Sequence, residues 1–283
     1  MSSAPTIAIT GATGVVGGHV ARELAHRGVP QRLLVRTPDT ARQLPAAPVF
    51  RSSYSDQDAA RSALEGVDTL FMVSAHESPD RIDQHRSFVD AAVSAGVTHI
   101  VYTSFAAAAP DATFTLARDH WATEQYIRAS GLTWTFLRDS FYLDFMEALV
   151  GDDGVIRGPA GQGRTSFVAR ADVGRTAAAT ILDPSARAGR VYDLTGPVAL
   201  TLAEVAATIG RIRGRDVTFH DETTEEAYAS RASYGAPGWQ VDAWVTTYTA
   251  IRSNIMAPVS SAIEDITGRA PIDLETHLRS TPR

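Results

Sequence analysis

The chain has 283 residues, 44% of them hydrophobic and 20% charged, with 26 basic against 32 acidic side chains for a net charge of −6. This is the balance of an ordinary globular protein, long enough for one large domain or a domain with a smaller companion, and able to bury a core without cross-links. There is no cysteine, and every one of the 26 basic residues is arginine. Disulfides, thiolate metal sites, Schiff-base lysines, a Walker phosphate lysine and a Tyr-Lys proton relay are therefore excluded. No basic run marks a nucleic-acid face, and no apolar run approaches the ~18–20 residues of a membrane span. Met1 to Pro5 carries neither a basic region nor an apolar signal core, so a cytoplasmic location is expected.

The first half alternates short apolar runs with amphipathic stretches. Thr6–Thr10 reads as a strand, followed by a glycine-rich turn and a helix through Val20 and Leu24 to Gly28, a natural C-terminal cap. Arg32–Val35 is a second strand and Val49-Phe50 a weak third. Asp56–Leu64 is helical, Thr69–Val73 a fourth strand and Arg81–Ala95 a helix closed by Gly96. Ile100–Thr103, a helix Thr115–Ser130 and a strand Thr133–Leu137 complete the alternation. Six strands alternating with helices imply an α/β, Rossmann-type doubly wound parallel sheet, with ligands at the carboxyl ends of its strands.

After residue 140 the rhythm changes. Gly151 to Gly163 holds five glycines, and Gly154–Gly158 is a candidate hairpin arm. Asp172 is placed to cap a helix through Ile181, and Val191–Leu194 is strand-like. Thr201 and Glu204 fit a capping box opening a helix to Ile212. Val217–Phe219 reads as a strand, and Glu222–Arg231 and Gln240–Ile255 as helices, with Trp239 and Trp244 packing one of them against the sheet. The expected division is a dinucleotide-binding core over 1–150 and a small substrate-side α+β lobe over 151–283, woven into one unit.

The most informative segment is Thr10-Gly11-Ala12-Thr13-Gly14-Val15-Val16-Gly17, lying between the first strand and the first helix. Gly11 permits the tight turn, Gly14 a close approach of backbone to a pyrophosphate, and Gly17 close packing of helix on strand. Thr13, Val15 and Val16 complete the turn, whose helix end offers free N–H groups to phosphates. The spacing is G-x-x-G-x-x-G, and the plain alternative is a tight βα turn without a ligand. About 20 residues on, where an NAD site carries an acid, the chain has Val35-Arg36-Thr37. Arg36 suits a ribose 2′-phosphate, which favours NADPH over NADH, unless it merely solvates a strand end.

The opening Thr10–Gly17, the strands Leu34-Val35-Arg36 and Val101–Ser104, and the block from His120 through Thr123, Glu124 and Ile127 to Thr135–Asp139 resemble the NmrA-like branch of the atypical short-chain dehydrogenases. Within it the likeness is greatest to the NAD(P)H:quinone oxidoreductase and triphenylmethane reductase group, and extends to Thr267-Gly268-Arg269. The resemblance implies a Rossmann domain with a small C-terminal lobe, NADPH, and hydride delivery to a quinone-like or conjugated acceptor. The branch also contains redox sensors that act through a protein partner, which is the alternative function.

Tyr126 is followed four residues later by Ser130, so the usual Tyr-x-x-x-Lys pair is absent. Aligned back from Gly131-Leu132, His120 falls where the related phenylpropanoid reductases carry their catalytic lysine. It is the candidate proton donor, with a pocket-lining or surface histidine as the alternative. Strand ends supply the remaining candidates. Val73, Ser74 and Ala75 lie beside the nicotinamide ribose, with His76 on the substrate side. Tyr102, Thr103 and Ser104 close the fifth strand, and Arg138 the sixth. Ser53 and Tyr54 stand where relatives place an acid near the adenine, with Tyr54 available for stacking. Phe105, Phe141 and Tyr142 form a flat apolar platform for an aromatic acceptor, or pack as ordinary core. No metal site is expected. The expected partners are a small aromatic or quinone-like acceptor, with a homodimer allowed and neither nucleic acid nor membrane involved.

Overall fold

A computed structural model describes residues 6–281. Strand β1 (Ile7–Thr10) runs through the glycine turn into α1 (Val15–His26) and β2 (Arg32–Val35). Then follow β3 (Val49–Arg51), α2 (Gln57–Leu64), β4 (Thr69–Met72), α3 (Arg81–Ser94), β5 (His99–Phe105), α4 (Thr115–Ala129) and β6 (Thr133–Asp139). The second half contributes β7 (Val155–Gly158), α5 (Arg170–Leu182), β8 (Arg190–Leu194), α6 (Leu202–Arg213) and β9 (Thr218–Asp221). Helices α7 (Thr224–Arg231), α8 (Gly238–Arg252), α9 (Ala262–Thr267) and α10 (Leu274–Ser280) close the chain.

Seven strands form one parallel sheet in the order β3-β2-β1-β4-β5-β6-β8. The reversal of winding beside β1 opens a crevice at the carboxyl ends of the strands, where such sheets bind ligands. Central strands are apolar on both faces because helices cover both. On one face Ala8, Leu70, Ile100 and Phe136 pack with Leu64, Phe88 and Ile127 of α2, α3 and α4. On the other, Ile9, Phe71, Val101 and Leu137 pack with Val20 and Leu24 of α1 and Val173 and Ile181 of α5. A third cluster, around Ile156, Leu202, Ile209 and Ile251, forms the core of the lobe.

Three local expectations change. The 154–158 segment is a strand, but its partner is β9 and the pairing is parallel, so no hairpin forms. Asp172 lies inside the first turn of α5 rather than capping it. Its buried carboxylate accepts from Arg175 Nε at 2.8 Å and from the Ile272 N–H at 2.6 Å, latching the C-terminal segment to the core. Trp244 meets Tyr234 within the lobe, while α8 reaches the core through Thr246 Oγ1, which accepts from the Thr115 N–H at 3.3 Å. The Thr201–Glu204 capping box is present, with both reciprocal hydrogen bonds. The core draws on chain from both sides of residue 150: β8 is the seventh strand of the main sheet, and α5 packs on α1.

Candidate active site

The glycine turn is built for close approach. Gly11 sits at φ +62°, a left-handed conformation that L side chains adopt at a cost. A Cβ on Gly17 would lie 2.4 Å from the Gly11 carbonyl oxygen, so only glycine lets α1 start so near β1. The Gly14 N–H donates to Gly11 O at 2.9 Å and closes the turn. Gly14 is the N-cap of α1 and has no side chain to satisfy the first N–H groups, and the first turn carries no acid. These free donors, at the positive end of the helix dipole, form an anion site.

A cleft of about 330 Å³ opens over this turn. Of the residues expected from sequence, Gly11, Thr13, Gly14 and Arg36 line it, as do Ser53, Tyr54, Val73, Ser74 and Ala75. Val15, Val16 and Gly17 form the first turn of α1 beneath it. His76, assigned to the substrate side by sequence, instead lines this cleft. Arg36 is exposed and pairs with no carboxylate among the described residues, so its guanidinium stays available. Tyr54 does not stand free to stack. Its ring lies on Phe88 at 4.3 Å between centres, and its hydroxyl meets Thr10 Oγ1 and the Val73 carbonyl. Thr10 Oγ1 in turn accepts from the Val73 N–H at 2.8 Å, so this pair ties β1 to the end of β4. Thr10, Ser52, Ser55 and Gln84 also line the cleft and were not singled out from sequence. Only their position one or two residues from a strand end, or across the cleft on α3, brings them there.

Behind the cleft, the end of β4 is held by a buried polar network. Thr103 Oγ1 accepts from the Ser74 N–H at 2.8 Å. The Ala75 N–H donates to His85 Nε2 at 2.8 Å, and the Ala75 carbonyl accepts from Arg81 Nε at 2.9 Å. Both polar groups of Ala75 are thereby clamped by α3. Arg81 also meets Asp119 at 3.4 Å and His120 Nε2 at 3.0 Å. A guanidinium only donates, so His120 Nε2 is the acceptor and the proton sits on Nδ1, which faces the Tyr102 hydroxyl at 3.1 Å. His120 is 6% exposed, and burial together with the Arg81 charge holds its pKa well below the usual imidazole value. The expected proton donor is thus a neutral core histidine with both nitrogens engaged. Tyr102, expected at the cofactor, is buried in the same network.

Arg138 and Ser104 also turn inward. The fully buried Glu124 accepts from Arg138 Nε at 2.8 Å and Nη2 at 2.7 Å, and from Ser104 Oγ at 2.6 Å. Arg128 approaches the same carboxylate at 3.3 Å while its guanidinium lies over Trp134, 4.7 Å from the ring centre. Arg138, Ser104 and Tyr102 therefore brace the β5 and β6 ends from behind, where sequence placed them on the cofactor. A pattern hidden in the sequence could have flagged this: His120, Glu124 and Arg128 repeat every four residues along one helix.

Phe105, Phe114 and Phe141 cluster where β5 and β6 end, with ring centres 4.9–5.4 Å apart and Phe141 edge-on to the other two. Phe114 joins the platform that sequence assigned to Phe105, Phe141 and Tyr142. Tyr142 instead packs toward α1 and α5, and its hydroxyl donates to Asp139 Oδ2 at 2.7 Å. The loop leaving β5 passes through Ala107 at φ +57°, an uncommon conformation for a residue with a Cβ.

The fold and this cleft define a Rossmann-type dinucleotide-binding architecture. The chain belongs to the NmrA-like family, whose profile matches residues 3–234. It is 35% identical over 243 residues to quinone oxidoreductase 2 of Escherichia coli strain K12, covering 83% of this chain and 84% of that one. It is 30% identical over 269 residues to the NAD(P)H azoreductase of Xenophilus azovorans, covering 93% of each. The crystal structure of the Escherichia coli NADPH-dependent quinone oxidoreductase in complex with NADPH superposes with a TM-score of 0.88 at 31% identity, over 96% of this chain and 98% of that one. No helix among the described residues is long and apolar enough to cross a membrane.

Proposed function

We propose that this protein is an NADPH-dependent reductase that passes hydride to a flat, conjugated acceptor such as a quinone, in the cytoplasm. The observation that carries the reading is the cleft: an uncapped helix end, a glycine turn with no room for a Cβ at Gly17, and an arginine at its rim that pairs with no carboxylate among the described residues. These residues fit a 2′-phosphorylated dinucleotide. The turn from Gly11 to Gly17 would hold the pyrophosphate, and Arg36 the 2′-phosphate. Ser53 and Tyr54 would border the adenosine end. Val73, Ser74 and Ala75 would guide the chain of the cofactor toward the β5 and β6 ends. When bound, NADPH supplies the hydride.

The rest is the work of this chain. Thr103, His85 and Arg81 hold the Ser74–Ala75 backbone still, which fixes the floor of the cleft. Phe105, Phe114 and Phe141 offer an apolar surface for an aromatic acceptor at the end of that path. His120 acts through Arg81 as a positioning residue rather than as an acid.

The test is NADPH oxidation by the pure protein against a panel of quinones, with NADH in parallel. The reading expects turnover that prefers NADPH. Tight binding of NADPH with no turnover on any acceptor would instead favour a redox sensor.

A further inference from the structure

The lobe holds a second cavity, of about 540 Å³ against about 330 Å³ for the cleft, and the two share no lining residue. Phe105, Phe114 and Phe141 do not line it either. Its walls come from the turn before β7, from β7 itself, from the end of α7 and from α8.

The floor is built for close contact. A Cβ on Gly158 would lie 2.2 Å from the Tyr248 ring, so only glycine lets that ring settle against the end of β7. The Arg231 guanidinium lies 5.3 Å from the centre of the same ring, a cation–π contact. Arg231 is itself fixed, donating to Glu222 at 2.8 Å and to the carbonyls of Ala227 and Arg157 at 2.9 and 3.2 Å. Above this floor, Trp244 meets Tyr234 edge to face, with ring centres 5.9 Å apart. Tyr234 is 71% exposed, the most exposed large apolar side chain among the described residues. Three aromatic rings around one cavity, one of them left in water, make a wall suited to a flat ring rather than a packed core.

The charge around the cavity is one-sided. Two arginines line it and no acid does. Glu222 sits behind Arg231 and is 4% exposed, so it does not face the cavity. Arg157 pairs with Asp153 at 3.0 Å, and both of these side chains are about half exposed. An exposed pair of this kind contributes little. The Arg157 guanidinium can therefore exchange Asp153 for a ligand carboxylate at small cost, and its planar fork matches that group.

We propose that this cavity binds a planar aromatic carboxylate, with its ring among Tyr234, Trp244 and Tyr248 and its carboxylate on Arg157. The site is separate from the cofactor cleft, and the proposal does not depend on the reductase reading.

The experiment is calorimetric titration of the full chain with 2-naphthoate, with and without saturating NADPH. The neutral 2-naphthamide, which keeps the ring and loses the charge, is titrated beside it. The expected result is one saturable site that NADPH leaves unchanged, with the acid bound at least about tenfold tighter than the amide, as for a hydrogen bond to a charged group. Arg157→Gln should bring the acid down to the affinity of the amide. Thr247 lines the cavity, so Thr247→Trp should fill it and abolish binding of both ligands while the thermal melt holds. Tyr234→Ala, at an exposed position, should weaken both ligands alike, and carries the test if Thr247→Trp fails to fold.

No saturable binding, equal affinity for acid and amide, or displacement of the acid by NADPH would each overturn the proposal. Binding that is unchanged in a folded Thr247→Trp, or in Tyr234→Ala, would overturn it too. A chain that binds naphthoate as expected but does not bind NADPH removes the reductase reading and leaves this site standing.

Discussion

The glycine cleft and the α3–α4 network lie side by side at the carboxyl ends of one sheet, yet they treat polar groups in opposite ways. In the cleft, the first N–H groups of α1 and the Arg36 guanidinium are left without partners among the described residues. In the network, Glu124, Arg81, His85 and His120 are all buried: Arg81 is bonded to His120, Arg81 and His85 hold the Ala75 backbone, and Glu124 holds Arg138 and Ser104. Free polar groups at a surface await a ligand, whereas satisfied ones in a core hold something in place. The first region is a receptor and the second is its scaffold. The difference also shows that a polar residue at a strand end can face inward and serve structure, as Arg138 does.

The comparison can be broken at several points. The largest effect is expected from Glu124→Ala, which strands Arg138 and leaves Ser104 unpartnered. Breaking a buried pair in this way typically costs about 3–5 kcal/mol, to be read from chemical denaturation. If Glu124→Ala costs no more than a surface substitution, the network is not the scaffold.

Gly17→Val comes next. Its Cβ would meet backbone at 2.4 Å, so α1 must shift away from β1. The expected result is loss of NADPH binding by calorimetry, with destabilisation of about 1–3 kcal/mol, as for overpacking elsewhere. Arg36→Ala should leave the fold intact and weaken NADPH by about 1.5–3 kcal/mol, the range for a hydrogen bond to a charged group. NADH affinity should barely move.

The network also predicts a pH dependence. Burial and the Arg81 charge lower the His85 pKa to about 3, from ~6.5 in an unfolded chain. The folded pKa is depressed, so the unfolded chain binds the proton first. The stability contributed by neutral His85 is fully present above ~6.5 and is lost as pH falls toward about 3. His85→Gln should therefore show a shallower loss of stability than the wild type over that window, measured by thermal melts. The smallest effect belongs to the exposed Arg61–Glu65 pair at 3.5 Å: Arg61→Ala should change stability by less than about 1 kcal/mol.

The receptor was legible in the sequence and the scaffold was not. A glycine turn is contiguous, and Arg36 follows the second strand at a set distance, so local spacing carries both. Glu124 and Arg138 lie 14 residues apart, and Arg81 and His120 39 apart. Such pairs exist only once the sheet register is set. Register also decides which way a strand-end side chain points: Arg138 and Asp139 are adjacent in sequence yet face opposite layers of the sheet. The same dependence hid the seventh strand's place beside β6 and the parallel partner of Val155–Gly158, both set by chain that arrives tens of residues later.

The measurement that bears most directly on the receptor is calorimetric titration of wild type and Arg36→Ala with NADPH and with NADH. Tighter binding of NADPH by the wild type, with that preference collapsing in the variant while NADH affinity holds, is the predicted result. Equal affinity for the two nucleotides in the wild type, or a preference that survives the loss of Arg36, would contradict it.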